Sequence, residues 1–312
     1  MNTLMNTSIP SSFSLGQEVA LALRQRYPVV ALESAVITHG LPRPENLNLA
    51  RSLEQTVREE GATPATIGLL DGKVHIGLRP ELLERLANED GARKISRRDF
   101  GIALARGENG GTTVAATLIA AKLAGIRVFA TGGIGGVHRN VPFDISADLP
   151  ELSRSPLIVV CAGAKSILDL PATVEYLETA GVAVLGYRTD EFPAFYSAQS
   201  GLPVNVRVDT PQEVARIARL HWEMGLESAI LVVQPPPPES ALPAEQIESV
   251  IHQALQEAEE NGISGAQVTP FLLDRVNRLS GGASMQANLA LLRNNARLAA
   301  QIATALFPKE YI

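Results

Sequence analysis

Leu157-Ile158-Val159-Val160-Cys161-Ala162-Gly163-Ala164-Lys165-Ser166 is the stretch from which the fold reads outward. Its first five residues are all apolar, and such a run predicts a buried strand of the kind found in parallel sheets. The small residues that follow let the backbone come close to something else, and then one lysine stands alone. Further strands are predicted at 29–32, 127–130, 182–186, 204–207 and 229–233. Helical periodicity separates them, at 15–26, 44–60, 80–88, 113–124, 171–180, 211–224, 244–261, 270–279 and 284–305. Asp71-Gly72, between the apolar segments 65–70 and 73–76, is a strong hairpin turn signal. The alternation predicts a single α/β domain with a mostly parallel central sheet plus an early β-hairpin. Residues 1–13 are expected to form a disordered N-terminal tail, and 14–312 the single domain.

Composition narrows the function classes. The chain has 312 residues, of which 46% are hydrophobic and 19% charged, enough for a sizeable core. A net charge of −6 argues against coating a nucleic acid, although a local basic pocket stays open. One cysteine, Cys161, excludes an internal disulfide framework and a multi-cysteine metal site; it reads as a small buried hydrophobe. No run of 18 apolar residues occurs, so no membrane helix is expected and a cytoplasmic location follows. Pro235 to Pro238 reads as a stiff loop that ends a strand.

Five groups of residues could carry chemistry. Lys165 sits at the mouth of a buried strand, where an amine loses hydration and its pKa falls; a neutral amine can attack a sugar carbon and form an imine. Glu33 ends the strand at 29–32, so its carboxyl is either a partly desolvated general acid or a structural cap; His39 nearby reads as structural. Arg93, Lys94, Arg97 and Arg98 crowd four cations into six residues, and Lys94 is read as part of an anion site. Gly110-Gly111-Thr112-Thr113-Val114 is read as opening a helix whose free N–H groups and hydroxyls suit a phosphate or carbonyl oxygen. The glycine loop Gly132-Gly133-Ile134-Gly135-Gly136 fails the dinucleotide fingerprint, because His138 stands where a third glycine is needed. After it, Asp144, Ser146 and Asp148 are either turn residues or oxygen ligands for a hard divalent cation.

Several of these segments together resemble one family. ALESAVITHGLP (31–42), GATPATIG (61–68), ISRRD (95–99), AGIRVFATGGIGGVHR (124–139), FDISADL (143–149), VVCAGAKSILDL (159–170) and TPFLL (269–273) are similar to the pseudouridine-5′-phosphate glycosidases, whose wider group includes the indigoidine-synthesis A protein. Pro193 to Pro203 and the link from Arg139 to Phe143 fit that pattern less closely. The resemblance implies reversible cleavage of the C1′–C5 carbon–carbon bond of pseudouridine 5′-phosphate with water, giving uracil and ribose 5-phosphate. It implies Lys165 as the nucleophile that forms a covalent adduct with the ribose, and Glu33 as proton donor. It also implies Lys94, Val114, Ser146, Ala147, Asp148 and Asn288 at the substrate, and Asp144 as ligand of a manganese ion. An α/β/α fold of the indigoidine synthase A-like kind and a homotrimer acting on a small-molecule substrate are implied as well. Two other readings share part of this pattern: a lysine Schiff-base aldolase acting on a sugar phosphate, and a sugar-phosphate binding protein without catalysis.

Overall fold

Val29–Leu32, strand β2 below, is buried at all four positions. Successive side chains of a strand point to opposite faces, so both faces of the sheet at this point are covered. The same holds for Ile158–Cys161 and Ile230–Val233, each fully buried. These apolar strands are the axis of a computed structural model that describes residues 9–139, 143–263 and 268–308, except for the side chain of Thr269.

In chain order the elements begin β1 (Phe13–Leu15), α1 (Gln17–Arg24), β2 (Val29–Leu32), α2 (Glu45–Glu59), β3 (Thr63–Leu70), β4 (Lys73–Ile76), α3 (Pro80–Ala87) and β5 (Arg93–Ile95). Then come α4 (Phe100–Arg106), β6 (Gly110–Thr112), α5 (Val114–Ala124), β7 (Val128–Ala130), β8 (Val137–His138), α6 (Asp148–Leu152), β9 (Ile158–Cys161) and β10 (Leu168–Asp169). The last third holds α7 (Leu170–Thr179), β11 (Ala183–Tyr187), β12 (Val206–Val208), α8 (Pro211–Glu223), β13 (Ile230–Val233), α9 (Ala244–Glu260), α10 (Val268–Leu279) and α11 (Ala283–Leu306). A π-helical turn, Val36–Gly40, follows β2.

The main sheet runs β1-β4-β3-β2-β7-β9-β13-β11-β12, with β6 joined to β3 and β5 joined to β6. From β3 through β2 to β12 every neighbouring pair is parallel. The hairpin β3–β4 is antiparallel, with Asp71 and Gly72 both at positive φ in its turn. A mostly parallel sheet with an early hairpin is therefore what the chain forms. Helix α11 lies against β2, β7 and β9 and against α2 and α8. Helix α5 is apolar nearly all round and buries eight of its residues, as a helix enclosed by protein must.

Three expectations need correction. The expected loose tail extended through Phe13, but the Ser12 carbonyl accepts from Val74 N–H and Phe13 pairs with Val74; residues 1–8 lie outside the described residues. Gly110-Gly111-Thr112 does not open a helix. It is strand β6, inserted between β3 and β5. Only glycine fits there, because a Cβ on Gly111 would lie 2.2 Å from Thr38 Oγ1 and 2.6 Å from the Ser34 carbonyl oxygen. Nor do the threonine hydroxyls face a ligand: Thr112 donates to the Ile67 carbonyl, and Thr113 caps α5 by accepting from Ala116 N–H.

Candidate active site

The strand ends set the site. Glu33 follows the last residue of β2, and Lys165 follows the end of β9 by four residues in a turn of small residues. Gly163 in that turn has φ +84°, and a Cβ there would meet the Pro193 carbonyl oxygen at 2.2 Å, so the tight approach read from the sequence has a physical basis. The Lys165 N–H donates to the Ile134 carbonyl, which ties the lysine to the glycine loop. Arg139 holds the other flank by donating to the Ser166 and Leu168 carbonyls, while pairing with Glu248 of α9.

Glu33, Lys94, Lys165 and Asn288 line one cavity with His39, Phe195 and Leu292. The cavity holds about 60 Å³ and adjoins a hollow of about 330 Å³ that shares His39, Gly40, Pro270, Leu273 and Asn288 with it. Together the two fall within the ~300–1,000 Å³ range usual for small-molecule sites. His39, taken from the sequence as structural, is thus part of the wall.

Electrostatics sort these groups. Burial raises the pKa of Glu33 above the usual carboxylate value, against the opposing pull of Lys165, of the Thr131 hydroxyl and of Lys94. Burial lowers the pKa of Lys94, and the neighbouring Lys165 charge lowers it further, with Asp148 and Glu33 acting the other way. His138 is also held low by burial, although the Asp144 carboxylate beside it pulls upward. Of the cation cluster, Arg93 pairs with Asp99 and Glu108, and Arg97 with Glu151. Strand alternation puts Lys94 on the other side from Arg93, which frees the lysine for the cavity. Of the cation cluster, Lys94 is the residue that lines the cavity.

Val114, Ser146, Ala147 and Asp148 stand beside this cavity and not on its wall; Asp148 links them to it. Its Oδ1 accepts from Ala115 N–H, the second residue of α5 after Val114, and its Oδ2 accepts from Gly135 N–H, both at 2.8 Å. The Asp148 N–H donates to Ser146 Oγ. A Cβ on Gly135 would sit 2.2 Å from Ser146 Oγ, so the glycine lets loop and helix close on each other. Asp148 is 5% exposed.

Each oxygen of Asp148 accepts one backbone donor, which fixes it between the glycine loop and α5, while Asp144 lies beside His138. Among the described residues no group of three or more His, Cys, Asp or Glu side chains is placed to hold an ion. Asp144 keeps a partly exposed carboxylate, with His138 Nδ1 4.0 Å away. Such a donor set fits a divalent ion held mainly by water, as one carboxylate suffices for a water-rich shell.

Sequence reasoning missed Thr131, whose hydroxyl hydrogen-bonds Glu33 Oε1, and Asn295, whose amide donates to the Thr131 carbonyl at 2.8 Å. Cys161 is fully buried, and desolvation raises its thiol pKa to about 12, which makes it inert.

The family description "Indigoidine synthase A like protein" matches residues 18–305. The chain belongs to the indigoidine synthase A-like family. Among its relatives is the pseudouridine-5′-phosphate glycosidase of Caldanaerobacter subterraneus subsp. tengcongensis, 53% identical over 94% of this chain and 96% of the relative. A pseudouridine-5′-phosphate glycosidase from Herpetosiphon aurantiacus is 55% identical over 94% of this chain and 97% of its own length. Among solved structures, the prealnumycin C-glycosynthase AlnA in complex with ribulose 5-phosphate superposes with a TM-score of 0.88 at 43% identity, covering 95% of this chain and 97% of that one. In this indigoidine synthase A-like chain no helix among the described residues is long and apolar enough to cross a membrane.

Proposed function

We propose that the chain is a pseudouridine-5′-phosphate glycosidase that cleaves the bond between sugar C1′ and uracil C5. The observation that carries this reading is that one cavity is lined by both the Glu33 carboxyl, whose pKa burial raises, and the amine of Lys165. A carbon–carbon glycosidic bond offers no oxygen or nitrogen leaving atom to protonate, so a paired-carboxylate mechanism does not apply. An amine and an acid answer that need. Lys165 Nζ bonds to C1′ as the C1′–O4′ bond opens, with the ring oxygen leaving as a hydroxyl after gaining a proton. The nitrogen lone pair then forms a C=N bond while the C1′–C5 pair returns to uracil, whose C5 takes the Glu33 proton. Water hydrolyses the imine and frees ribose 5-phosphate and the lysine.

Lys94 is suited to the phosphosugar by charge, and the relatives' names and the ribulose 5-phosphate held by AlnA support that substrate class. Val114, Ser146 and Ala147 would shape the substrate's surroundings through the Asp148 clamp, and Asn288 would meet the substrate from α11. Asp144 would hold a manganese ion, which supplies positive charge near an anionic substrate when bound. The trimeric assembly implied by the resemblance and the cytoplasmic setting read from the sequence belong to the same proposal.

The test is direct. The protein with pseudouridine 5′-phosphate and manganese should release uracil, and borohydride added during turnover should fix one ribose phosphate on Lys165, read by peptide mass. No uracil release sinks the reading; uracil release without a trapped lysine sinks the covalent step alone. Cleavage of an aldol substrate in place of pseudouridine 5′-phosphate would favour the aldolase.

A further inference from the structure

Four polar residues are joined in a row of hydrogen bonds that leads to the site, with one link made through a backbone carbonyl. Gln234, just past β13, donates from Nε2 to Asn295 Oδ1 at 2.9 Å. Asn295, in α11, donates from Nδ2 to the carbonyls of Thr131 at 2.8 Å and Gly132 at 3.3 Å. Thr131, just past β7, hydrogen-bonds Glu33 Oε1. Asn295 and Thr131 are at most 1% exposed and Gln234 is 6% exposed. Buried polar groups cost free energy unless satisfied, and these hydrogen bonds satisfy them.

The order of donors has a chemical consequence. Gln234 fills the Asn295 oxygen, so the amide nitrogen faces the Thr131 and Gly132 carbonyls and fixes the backbone that carries the Thr131 hydroxyl. The Thr131 hydroxyl then meets Oε1 of Glu33, while Oε2 has no hydrogen-bond partner among the described residues. We infer that Thr131 is a positioning residue: its hydroxyl donates to Oε1 of Glu33 and thereby keeps the acid's proton on Oε2, the oxygen left free to deliver it. The inference rests on the reading of Glu33 as the acid. The groups whose charges act on Glu33 are Lys165, Asp148 and Lys94. A hydrogen bond donated to a carboxyl favours its ionised form, so removing the donor raises the pH at which Glu33 gives up its proton.

The experiment compares Thr131→Val, Thr131→Ser and Glu33→Gln with the parent. Thr131→Val should lower kcat about 10- to 100-fold with KM little changed, the scale of one lost oriented hydrogen bond. Its alkaline limb of kcat should move to higher pH. Thr131→Ser should recover most of the rate and restore the limb. In infrared difference spectra against Glu33→Gln, the C=O stretch of the protonated acid should rise in frequency in Thr131→Val, a readout that survives even where activity does not. A Thr131→Val enzyme with parental rate and limb refutes the inference. So does an equal loss in both Thr131 variants with an unmoved limb and an unmoved C=O stretch. A fast Glu33→Gln enzyme instead removes the acid reading beneath it; a slow Glu33→Gln beside an unaltered Thr131→Val removes only the role of Thr131.

Discussion

Two buried carboxyl groups, one at the mouth of β2 and one at the start of α6, meet the same site with opposite wiring. Asp148 spends both oxygens on backbone N–H groups, one from α5 and one from the glycine loop. Glu33 has one hydroxyl on one oxygen and is otherwise enclosed by apolar surroundings and two lysines. Backbone donors on either side hold Asp148 in place, whereas burial raises the pKa of Glu33 and favours its neutral form. The difference teaches that two carboxyls at one site are wired differently: Asp148 ties a loop to a helix, and Glu33 keeps one oxygen without a hydrogen-bond partner among the described residues.

The largest effect that could break this division is at the amine both carboxyls surround. Lys165→Ala should abolish uracil release while the unfolding transition stays close to the parent's; normal turnover by that variant would end its role as nucleophile. Glu33→Gln comes next. Turnover should fall by roughly two to four orders of magnitude, the usual share of general acid catalysis. The same variant should gain stability with rising pH. The folded-state pKa of Glu33 is raised, so its stabilising contribution is complete below the unfolded value and is lost as pH climbs through the folded one. The difference in Tm between variant and parent should therefore widen from mildly acidic to mildly alkaline buffer, and a constant difference would contradict the desolvation of Glu33.

Asp148→Asn sharpens the other half of the comparison. One backbone N–H of Ala115 or Gly135 would face an amide NH₂, costing about 1–3 kcal/mol for an unsatisfied buried donor. Urea unfolding should show it; an unshifted midpoint would mean the clamp carries no stability. The smallest effect is expected at the exposed carboxylate. Asp144→Ala should weaken manganese binding about tenfold or more, read from the free-ion signal in electron paramagnetic resonance. A parental titration curve would move the ligand elsewhere.

The buried strands were legible in the sequence because burial on both faces leaves an unbroken apolar run, as in Val29–Leu32 and Ile230–Val233. The hairpin was legible because Asp71-Gly72 has few other uses. Strands β5, β6, β8 and β10 were not. They are two or three residues long, polar or glycine-rich, and exist because neighbours supply their pairing. The site divides in the same way. Glu33 and Lys165 could be picked out since each ends an apolar run with a single ionisable residue. The partners that orient them could not: Thr131 is 98 residues from Glu33 and Asn295 is 164 from Thr131, and no local pattern marks residues that meet only through packing. Nor does the spacing of Asp144 and Asp148 reveal that a backbone donor engages each oxygen of Asp148.

Helix α11 carries Asn288 to the cavity wall and Asn295 behind it, and Gln301 and Thr304 anchor its far end on Glu60 at the close of α2. A folding intermediate that already displayed Lys165 but had not docked α11 would lack Asn288 on the wall and Asn295 behind it, so the amine joins a complete cavity only when this helix packs.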